Sequence, residues 1–494
     1  MFPHCDMDRR RLNNGNCPRG GQPPPTDHGA TPVLSHPRAL PLLVAGAFFM
    51  EYLDGTVIAT ALPQMALSFG LRPVDVSLGM SAYLLTLAVF LPASGYMAER
   101  FGARRVFTSA VVVFTVASIA CGVSIGLKTF VAARILQGVG GAMMVPVGRL
   151  VVLRTTAKKD LMSAVATLTW PALMAPILAP PLGGFLTAYA SWRWIFFINV
   201  PLGLFGIWLA LRLVPTERGG HSQRFDILGF VLTAFAVLAL MGVTEIVGRD
   251  VIDWRLIGIL LPASAFLGYL AVRHMRRSAA PILDLATLKV PSFAVSVVGG
   301  SLFRMAVSAI PFLLPLLFQV GFGLDAFHSG LLVLALFVGN VGIKPVTTPI
   351  LRRFGFRATI VGNGLLTAGG ILLCATLRPS TSVWLVVAIL GFGGATRSMG
   401  LTAISTIAFA DVEERRMNGA NTLFNMLQQM SLGLGVALGS LCLRIAQLWR
   451  PPGAAHATPA EFSIAFGLVS LIALVAIADA IALPADAGAQ VARG

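Results

Sequence analysis

Long apolar runs, each near the length of a membrane-crossing helix, alternate along this chain with short polar segments. Nine of these runs contain no charged residue: 106–127, 162–192, 194–211, 227–244, 256–272, 305–324, 358–377, 417–443 and 462–478. Six further runs contain an isolated charge or are less continuous: 42–63, 130–153, 326–350, 382–408, 78–98 and 290–304. A helix needs about 20 residues to cross the hydrocarbon of a bilayer. Counting 292–320 as one helix, the pattern predicts fourteen transmembrane helices.

The composition agrees with this pattern. Of the 494 residues, 56% are apolar and 12% are charged, and the mean hydropathy is +0.80, which excludes an ordinary water-soluble globule and a disordered chain. Lipid cannot satisfy backbone amides, so the runs must be helices or barrel strands, and they are too long and too continuously apolar for strands. We therefore expect an all-α polytopic membrane protein.

The formal net charge of +16 could favour a nucleic-acid partner. The positive residues instead concentrate in alternate loops, with eighteen Lys and Arg on the side of the N-terminus and seven on the other side. This asymmetry is typical of cytoplasmic loops, so we expect no nucleic-acid partner and both termini in the cytoplasm. Residues 1–39 are rich in Pro, Gly, Asn and Arg and contain no apolar stretch, which predicts a disordered cytoplasmic tail.

The chain also repeats a short motif. The sequence RFGAR at 100–104 and the sequence RFGFR at 353–357 follow corresponding spans and match at four of five positions. An internal repeat predicts two six-helix halves, 40–214 and 292–485, with an inserted helix pair at 226–273.

The loop at 95–105 fits the pattern G-x3-(D/E)-(R/K)-x-G-x-(R/K)-(R/K). Glycines permit a tight turn, and the acidic side chain can pair with guanidinium groups or approach a helix N-terminus. We expect a cytoplasmic latch that forms in one conformation and breaks in another. The alternative is a loop whose arginines only fix the topology. The latch residues are Gly95, Glu99, Arg100, Gly102, Arg104 and Arg105.

Charged residues inside the predicted helices are few, and each costs at least about 2.5 kcal/mol without a partner or water. Glu51 and Asp54 lie three residues apart on one face of the first helix, and Arg134 and Gln137 share a face of the fourth. A carboxyl group beside Arg134 could gain and lose a proton as the arginine moves. We therefore expect proton coupling through Asp54, Glu51 and Arg134. The alternative is a fixed ion pair that joins the two helices.

Three further cations lie in helices of the later half: Arg304, Lys344 and Arg397. An arginine keeps its charge at accessible pH, so it needs carboxylates, helix carbonyls, water or a ligand around it. Together with Arg134 these cations outnumber the two carboxylates of the first helix. We expect a net-positive substrate cavity, with Gln137 beside them, that favours an anionic or zwitterionic amphiphile. The alternative is that the cations occupy helix ends and gates.

Motifs for catalysis and metal binding are weak or missing. The five cysteines form no CxxC pair and no Cys/His cluster. The stretch 122–126 satisfies G-x-S-x-G, but it closes an apolar helix with no strand before it. The sequence contains neither G-x4-G-K-[ST] nor HExxH. We expect no enzymatic activity, no cofactor and no metal.

Four stretches carry a resemblance to a known family. They are the loop at 95–105, LDGTVIATALP at 53–63, RILQGVGGA at 134–142 and SWRWIFFINVP at 191–201. Together they resemble the major facilitator superfamily, and within it the fourteen-helix drug:proton antiporters of the EmrB/QacA type. The stretch 137–150 is similar to the MdtD-like members. The resemblance covers roughly 40–485 and implies the major facilitator fold in a bacterial cytoplasmic (inner) membrane.

Two stretches depart from the family pattern. Ala59 stands where the family usually has Asn, and the fifth-helix signature G-x3-G-P-x2-G-G appears with Ala175 and Ala179 in place of glycines. Alanine still allows close packing and proline still supplies kinks, so we expect a bent fifth helix. The residues for that bend are Pro176, Pro180, Pro181, Gly183 and Gly184.

The sequence thus predicts a proton-coupled secondary active exporter, a multidrug efflux antiporter that moves small amphiphilic compounds out of the cytoplasm by alternating access. A dedicated exporter of one anionic or zwitterionic metabolite is the alternative. A sensor or scaffold without transport activity is a different class that the same fold could support. The expected partners are the substrate, protons and the lipid bilayer, and we expect a monomer.

Overall fold

The computed structural model describes residues 39–156, 161–216, 225–248, 253–278, 281–448, 457–481 and 483, and every regular element in these ranges is helical. The predicted tail lies outside the described residues except for Ala39, which begins the first helix. The fourteen main helices are α1 (Ala39–Phe69), α2 (Leu78–Phe90), α3 (Ala103–Gly122), α4 (Leu127–Thr155), α5 (Leu161–Tyr189), α6 (Asn199–Leu213), α7 (Ile227–Gly248), α8 (Trp254–Met275), α9 (Pro291–Leu316), α10 (Ala326–Gly342), α11 (Lys344–Cys374), α12 (Val383–Ala410), α13 (Met417–Gln447) and α14 (Pro459–Val475).

These helices match the predicted membrane crossings. In the described ranges, 12 helical segments are long and apolar enough to cross a bilayer, and two shorter apolar segments lie at Leu173–Tyr189 in α5 and at Ala326–Gly342. Short helices flank the long ones at Pro73–Val76, Ala93–Phe101, Trp194–Phe197 and Ala478–Ile481. The all-helical membrane fold predicted from the sequence is therefore confirmed.

Two pairs of glycines mark an internal repeat in the backbone. Gly70 and Gly323 have φ values of 66° and 73°, and Gly102 and Gly355 have φ values of 88° and 73°. Both pairs are separated by 253 positions (323 minus 70 and 355 minus 102). A positive φ strains any residue with a Cβ, so glycine is required at these turns. At Gly355 the backbone leaves helical geometry and divides α11 into two helices.

The two sets of six helices pack in the same way. In the first set α1 packs on α5, α3 on α4, and α2 on α4, and in the second set α9 packs on α13, α11 on α12, and α10 on α12. The two sets meet along α2 with α13 and along α5 with α10. This arrangement creates a space between the sets that is lined by helices from both.

The inserted pair α7 and α8 lies beside one of these seams. The helices pack on each other, and α7 also contacts α2 and α13. The ring of Phe230 lies 5.3 Å from that of Phe90, and the ring of Phe225 lies 4.7 Å from that of Tyr96, a residue of the 95–105 loop. The inserted pair therefore contacts the seam, and Phe225, just before the pair, contacts the helix that carries the predicted latch.

At one end of the bundle the two sets of helices meet through polar contacts. We call the end where α1 finishes and α2 begins the α1–α2 face, and the opposite end the α2–α3 face. Near the α1–α2 face, Gln64 donates from Nε2 to Oε1 of Gln319 at 3.1 Å, and the hydroxyls of Ser77 and Ser440 lie 2.9 Å apart. Polar contacts therefore join the two sets near the α1–α2 face, where a second cavity, of about 750 Å³, is lined by residues of both sets that include Leu67, Val320 and Leu443.

Candidate functional site

A buried ion pair joins the first and fourth helices. Asp54 of α1 and Arg134 of α4 pair through Oδ2 and Nη1, and neither side chain is exposed to solvent. Arg134 also donates from Nε to the carbonyl oxygen of Gly79 at 3.3 Å. Removing two ions from water is costly, so such a pair persists only where further hydrogen bonds satisfy its remaining atoms.

Three polar side chains complete this network. Gln137 donates from Nε2 to Oδ1 of Asp54 at 2.9 Å, and its Oε1 accepts from Nη1 of Arg134 at 2.6 Å. Asn199, at the start of α6, donates to the same Oδ1 at 3.0 Å, and Ser118 of α3 accepts from the Gln137 amide at 2.8 Å. The carboxylate of Asp54 is therefore held by donors from two other helices, and a shift of either helix changes its hydrogen bonds.

Aromatic rings enclose the guanidinium of Arg134. Its carbon Cζ lies 4.1 Å from the centre of the Tyr83 ring and 5.9 Å from that of Phe196. Such contacts stabilise a cation by about 2 kcal/mol when it is removed from water. Nη2 of Arg134 nevertheless has no hydrogen-bond partner among the described residues. The arginine therefore retains the donors of Nη2 for use in another conformation.

A cavity of about 320 Å³ lies between the two sets of helices. Its wall is formed by α1, α2 and α5 from the first set and by α9, α10, α12 and α13 from the second. The polar side chains of this wall are Glu51, Tyr52, Thr56, Thr60, Tyr83, Ser308, Asn340, Arg397 and Gln429. The volume falls within the range of small-molecule sites.

The two carboxylates of α1 have different surroundings. Asp54 is enclosed in the network, whereas Glu51 lines the cavity. Glu51 is 8% exposed and its Oε2 has no hydrogen-bond partner among the described residues. A Cβ on Gly141 of α4 would lie 3.6 Å from this Oε2, so the carboxylate lies directly against α4. As expected, Glu51 and Asp54 lie on one face of α1, and both contact α4. Only Glu51 also lines the cavity.

Two residues that the sequence placed in the cavity lie elsewhere. Gln137 is fully buried in the Asp54 network because its side chain faces α1 and α3. Lys344 is exposed at the junction of α10 and α11, where its ammonium donates to Oγ1 of Thr402 at 2.8 Å. Neither residue belongs to the cavity wall.

Arg304 is buried in α9 but also lies outside this wall. Its Nη1 donates to the carbonyl oxygen of Ser296 at 3.0 Å, and its Cζ lies 4.6 Å from the centre of the Phe424 ring. The described wall therefore carries one acid, Glu51, and one base, Arg397. The expected excess of positive charge is absent from this wall, because three of the four cations counted from the sequence face other neighbours.

The 95–105 loop forms a short helix, Ala93–Phe101, that ends at Gly102. Arg104 donates to the carbonyl oxygen of Leu211 and to the hydroxyl of Thr216, just beyond α6. The remaining charged members, Glu99, Arg100 and Arg105, are exposed, and Glu99 has no ion pair in the described part of the chain. Arg104 thus links α3 to α6 in the first set of helices, and a latch between the sets remains a prediction.

The fifth helix runs unbroken through its prolines from Leu161 to Tyr189. Pro176 and Pro180 line the cavity, and Pro181 lies next to them on α5. A Cβ on Gly183 would lie 2.6 Å from Oγ1 of Thr60, and one on Gly184 would overlap the carbonyl oxygen of Ala326. These glycines therefore allow α5 to approach α1 and α10 closely, and the bend itself remains a prediction.

Sequence reasoning missed two members of the site: Ser118 and Asn199. Each is a polar residue within an apolar helix and at most 1% exposed. A neutral hydroxyl or amide in such a helix is common, so its presence gives less information than a charge does. For Asn199 the sequence did offer a signal, because this residue lies inside the 191–201 stretch that resembles the family.

In the described residues, no group of three His, Cys, Asp or Glu side chains could hold a metal ion. The site is instead an ion-pair network beside a largely apolar cavity. Such an arrangement can bind an amphiphile and move a proton, and both actions need only the side chains described above.

Comparisons with known proteins agree with this architecture. A model of the Major Facilitator Superfamily matches residues 44–436 and 296–488. The chain is 37% identical over 403 residues to a Serratia proteamaculans protein that bears the name multidrug resistance protein MdtD, across 81% of this chain and 84% of that protein. It is 34% identical over 450 residues to the Pectobacterium carotovorum protein of the same name, across 90% of this chain and 95% of that protein.

Solved structures show the same fold at low sequence identity. The D-xylose-proton symporter has a TM-score of 0.64 at 13% identity and covers 91% of this chain and 98% of its own. A POT family transporter in complex with 5-aminolevulinic acid has a TM-score of 0.66 at 14% identity and covers 90% and 96%. The packing of two six-helix sets, the match to the family model and these relatives together establish that the chain belongs to the Major Facilitator Superfamily.

Proposed function

We propose that this protein is a multidrug efflux antiporter that exports small amphiphilic compounds in exchange for protons. The observation that carries the proposal is the buried Asp54–Arg134 ion pair, held by Gln137 and Asn199, one turn of helix away from a carboxyl group in the cavity. The names of the MdtD relatives support multidrug efflux. The fold supports transport by alternating access.

In this proposal the two carboxyl groups have different tasks. Glu51 faces the cavity and forms no ion pair with a described residue, so it carries the exchangeable proton, and the proton and the substrate compete for it. Asp54 holds α1 against α4 and α6 through its ion pair and its amide donors. Because Glu51 and Asp54 share one short stretch of α1, a rotation or shift of that stretch changes both environments together.

The proposal places the α2–α3 face in the cytoplasm, together with both termini, and the membrane is the bacterial cytoplasmic membrane. The basic residues of the alternate loops support this orientation. The contacts of Gln64 with Gln319 and of Ser77 with Ser440 then lie on the outer side. In this proposal the substrate enters the cavity from the cytoplasm.

Purified protein in lipid vesicles tests the proposal. An imposed proton gradient should drive a fluorescent amphiphile across the membrane, and collapse of the gradient by an ionophore should stop transport. Asp54→Asn should abolish gradient-driven transport, whereas Asp75→Asn, a carboxyl group of the Arg72 ion pair near the α1–α2 face, should not. Gradient-driven transport that persists in Asp54→Asn at the native rate would refute the role of the ion pair.

A further inference from the structure

The central cavity brings together one carboxylate and one guanidinium from opposite sets of helices. Glu51 belongs to α1 and Arg397 to α12, and they are the acid and the base of its described wall. Neither forms an ion pair with another described residue. Two opposite charges that face one cavity without pairing leave room for a ligand between them.

Four side chains of the same wall each have a polar atom without a hydrogen-bond partner in the described part of the chain. Oε2 of Glu51, Oη of Tyr83, Oγ of Ser308 and Nε of Arg397 are buried and have no hydrogen-bond partner among the described residues. All four residues line this cavity. No described protein group holds these four polar atoms in place, so a rotation of each side chain can present its polar atom to a ligand in the cavity.

The rest of the wall is predominantly apolar. Its larger apolar members come from both sets of helices and include Leu84, Ile177, Phe312, Phe337 and Val436. Such a surface binds an apolar or aromatic body through its area rather than through directed contacts. The apolar residues therefore favour a ligand with a hydrophobic body, and the charged residues determine which charged groups that ligand has.

We propose that the preferred substrates are amphoteric amphiphiles, in which an apolar body carries both a cationic group and an acidic group. The cation pairs with Glu51, the acid pairs with Arg397, and the hydroxyls of Tyr83 and Ser308 bind polar atoms between them. A purely cationic compound would leave Arg397 desolvated and unpaired, and a purely anionic one would do the same to Glu51. This inference rests on the proposed function in taking the cavity as the transport site.

Three xanthene dyes of similar shape form a matched test. A rhodamine with a free carboxylate carries both charges, its methyl ester carries only the cation, and fluorescein carries the carboxylate without the cation. Dissociation constants for the purified full-length protein in detergent follow from the fluorescence anisotropy of each dye. The free-acid rhodamine should bind about tenfold more tightly than either of the others, since each charge-assisted contact has roughly that effect.

Substitutions assign each charge to its partner. Arg397→Gln should weaken the free-acid rhodamine about tenfold and should leave the affinity for its methyl ester equal or higher, because the ester no longer buries an unpaired guanidinium. Glu51→Gln should weaken both rhodamines and should leave the affinity for fluorescein equal or higher. Lys344→Gln and Glu413→Gln remove an exposed cation and an exposed acid outside the cavity, and they should alter none of the three constants. If Arg397→Gln or Glu51→Gln fails to fold, Arg397→Lys and Glu51→Asp keep the charge and should preserve the preference for the free acid.

Two results would overturn the inference. One is an ester that binds the native protein as tightly as the free acid. The other is an Arg397→Gln protein that loses affinity equally for the acid and the ester. Dye discrimination in detergent without gradient-driven transport in vesicles would refute the proposed function and leave the substrate class standing. Gradient-driven transport without dye discrimination would refute the substrate class alone.

Discussion

The side chains of Asp54 and Arg134 pair in a part of the protein where neither is exposed. A buried ion pair contributes little net stability, because the desolvation of both ions opposes their attraction, but loss of one partner leaves a charge without compensation. The pair is therefore sensitive to any change that separates α1 from α4. This sensitivity makes it suited to report the conformation of the first set of helices.

Removal of either member of this ion pair should destabilise the folded protein. We expect Asp54→Asn and Arg134→Gln each to lower the free energy of unfolding by about 3–5 kcal/mol, because the remaining member stays buried. The double variant should recover part of that loss. Thermal or denaturant unfolding in detergent, arranged as a double-mutant cycle, measures the coupling. Strictly additive effects would mean that the two side chains do not interact.

Asn199 should matter for coupling although it carries no charge. Its amide donates to Oδ1 of Asp54 and lies 3.3 Å from the hydroxyl of Ser118. We expect Asn199→Leu to cost about 1.5–3 kcal/mol, as for other hydrogen bonds to charged groups, and to reduce gradient-driven transport. Asn421→Leu, at an exposed position near the start of α13, is the matched control for the loss of an asparagine. Equal transport by both variants would contradict a role for Asn199.

The two repeat glycines should be far less tolerant of alanine than Gly95. Gly102→Ala and Gly355→Ala place a Cβ at a positive φ and should each cost about 1–2 kcal/mol. At Gly95 an added Cβ would meet nothing within 4 Å, and the residue lies inside the helix Ala93–Phe101. Gly95→Ala should therefore leave stability unchanged or raise it slightly. Unfolding midpoints of the three variants make the comparison, and a Gly95→Ala loss equal to the others would contradict it.

Gly184 should control how closely α5 and α10 pack near the α1–α2 face. An alanine there would overlap the backbone of Ala326 on α10 and push α5 away from α10. We expect Gly184→Ala to increase the labelling of a cysteine placed at Gln64 by a membrane-impermeant maleimide, in a background without the native cysteines. Gly46→Ala, where an added Cβ meets nothing within 4 Å, is the control. Unchanged labelling in Gly184→Ala would show that this contact does not control the packing near that face.

The positions of the helices were predictable because hydrocarbon thickness sets a minimum apolar length, and the apolar runs carry that length plainly. The break in α11 was less visible. The runs at 326–350 and 358–377 predicted a loop near 351–357, whereas the helix continues to Gly355 and then changes direction. The positive φ of this glycine, shared with Gly102, explains the break and could be found from the repeat of the RFG sequence alone.

The candidate site was predictable where a charge demanded a partner. Asp54 and Arg134 are both buried, and their pairing follows from that demand. The surroundings of Arg304 and Lys344 did not follow from the sequence, because position along a helix gives depth but does not say which neighbour covers a side chain. Lys344 lies at the junction of α10 and α11, which the continuous apolar run 326–350 did not reveal. Arg304 is covered by Phe424 from α13.

The central claim, that substrate and proton compete at the cavity, has a direct measurement. Purified protein in weakly buffered detergent solution is mixed with a saturating cationic or amphoteric dye, and a pH indicator records the protons released. We predict release of about one proton per bound dye from the native protein and none from Glu51→Gln. Dye binding to the native protein without proton release, or equal release from Glu51→Gln, would contradict the account.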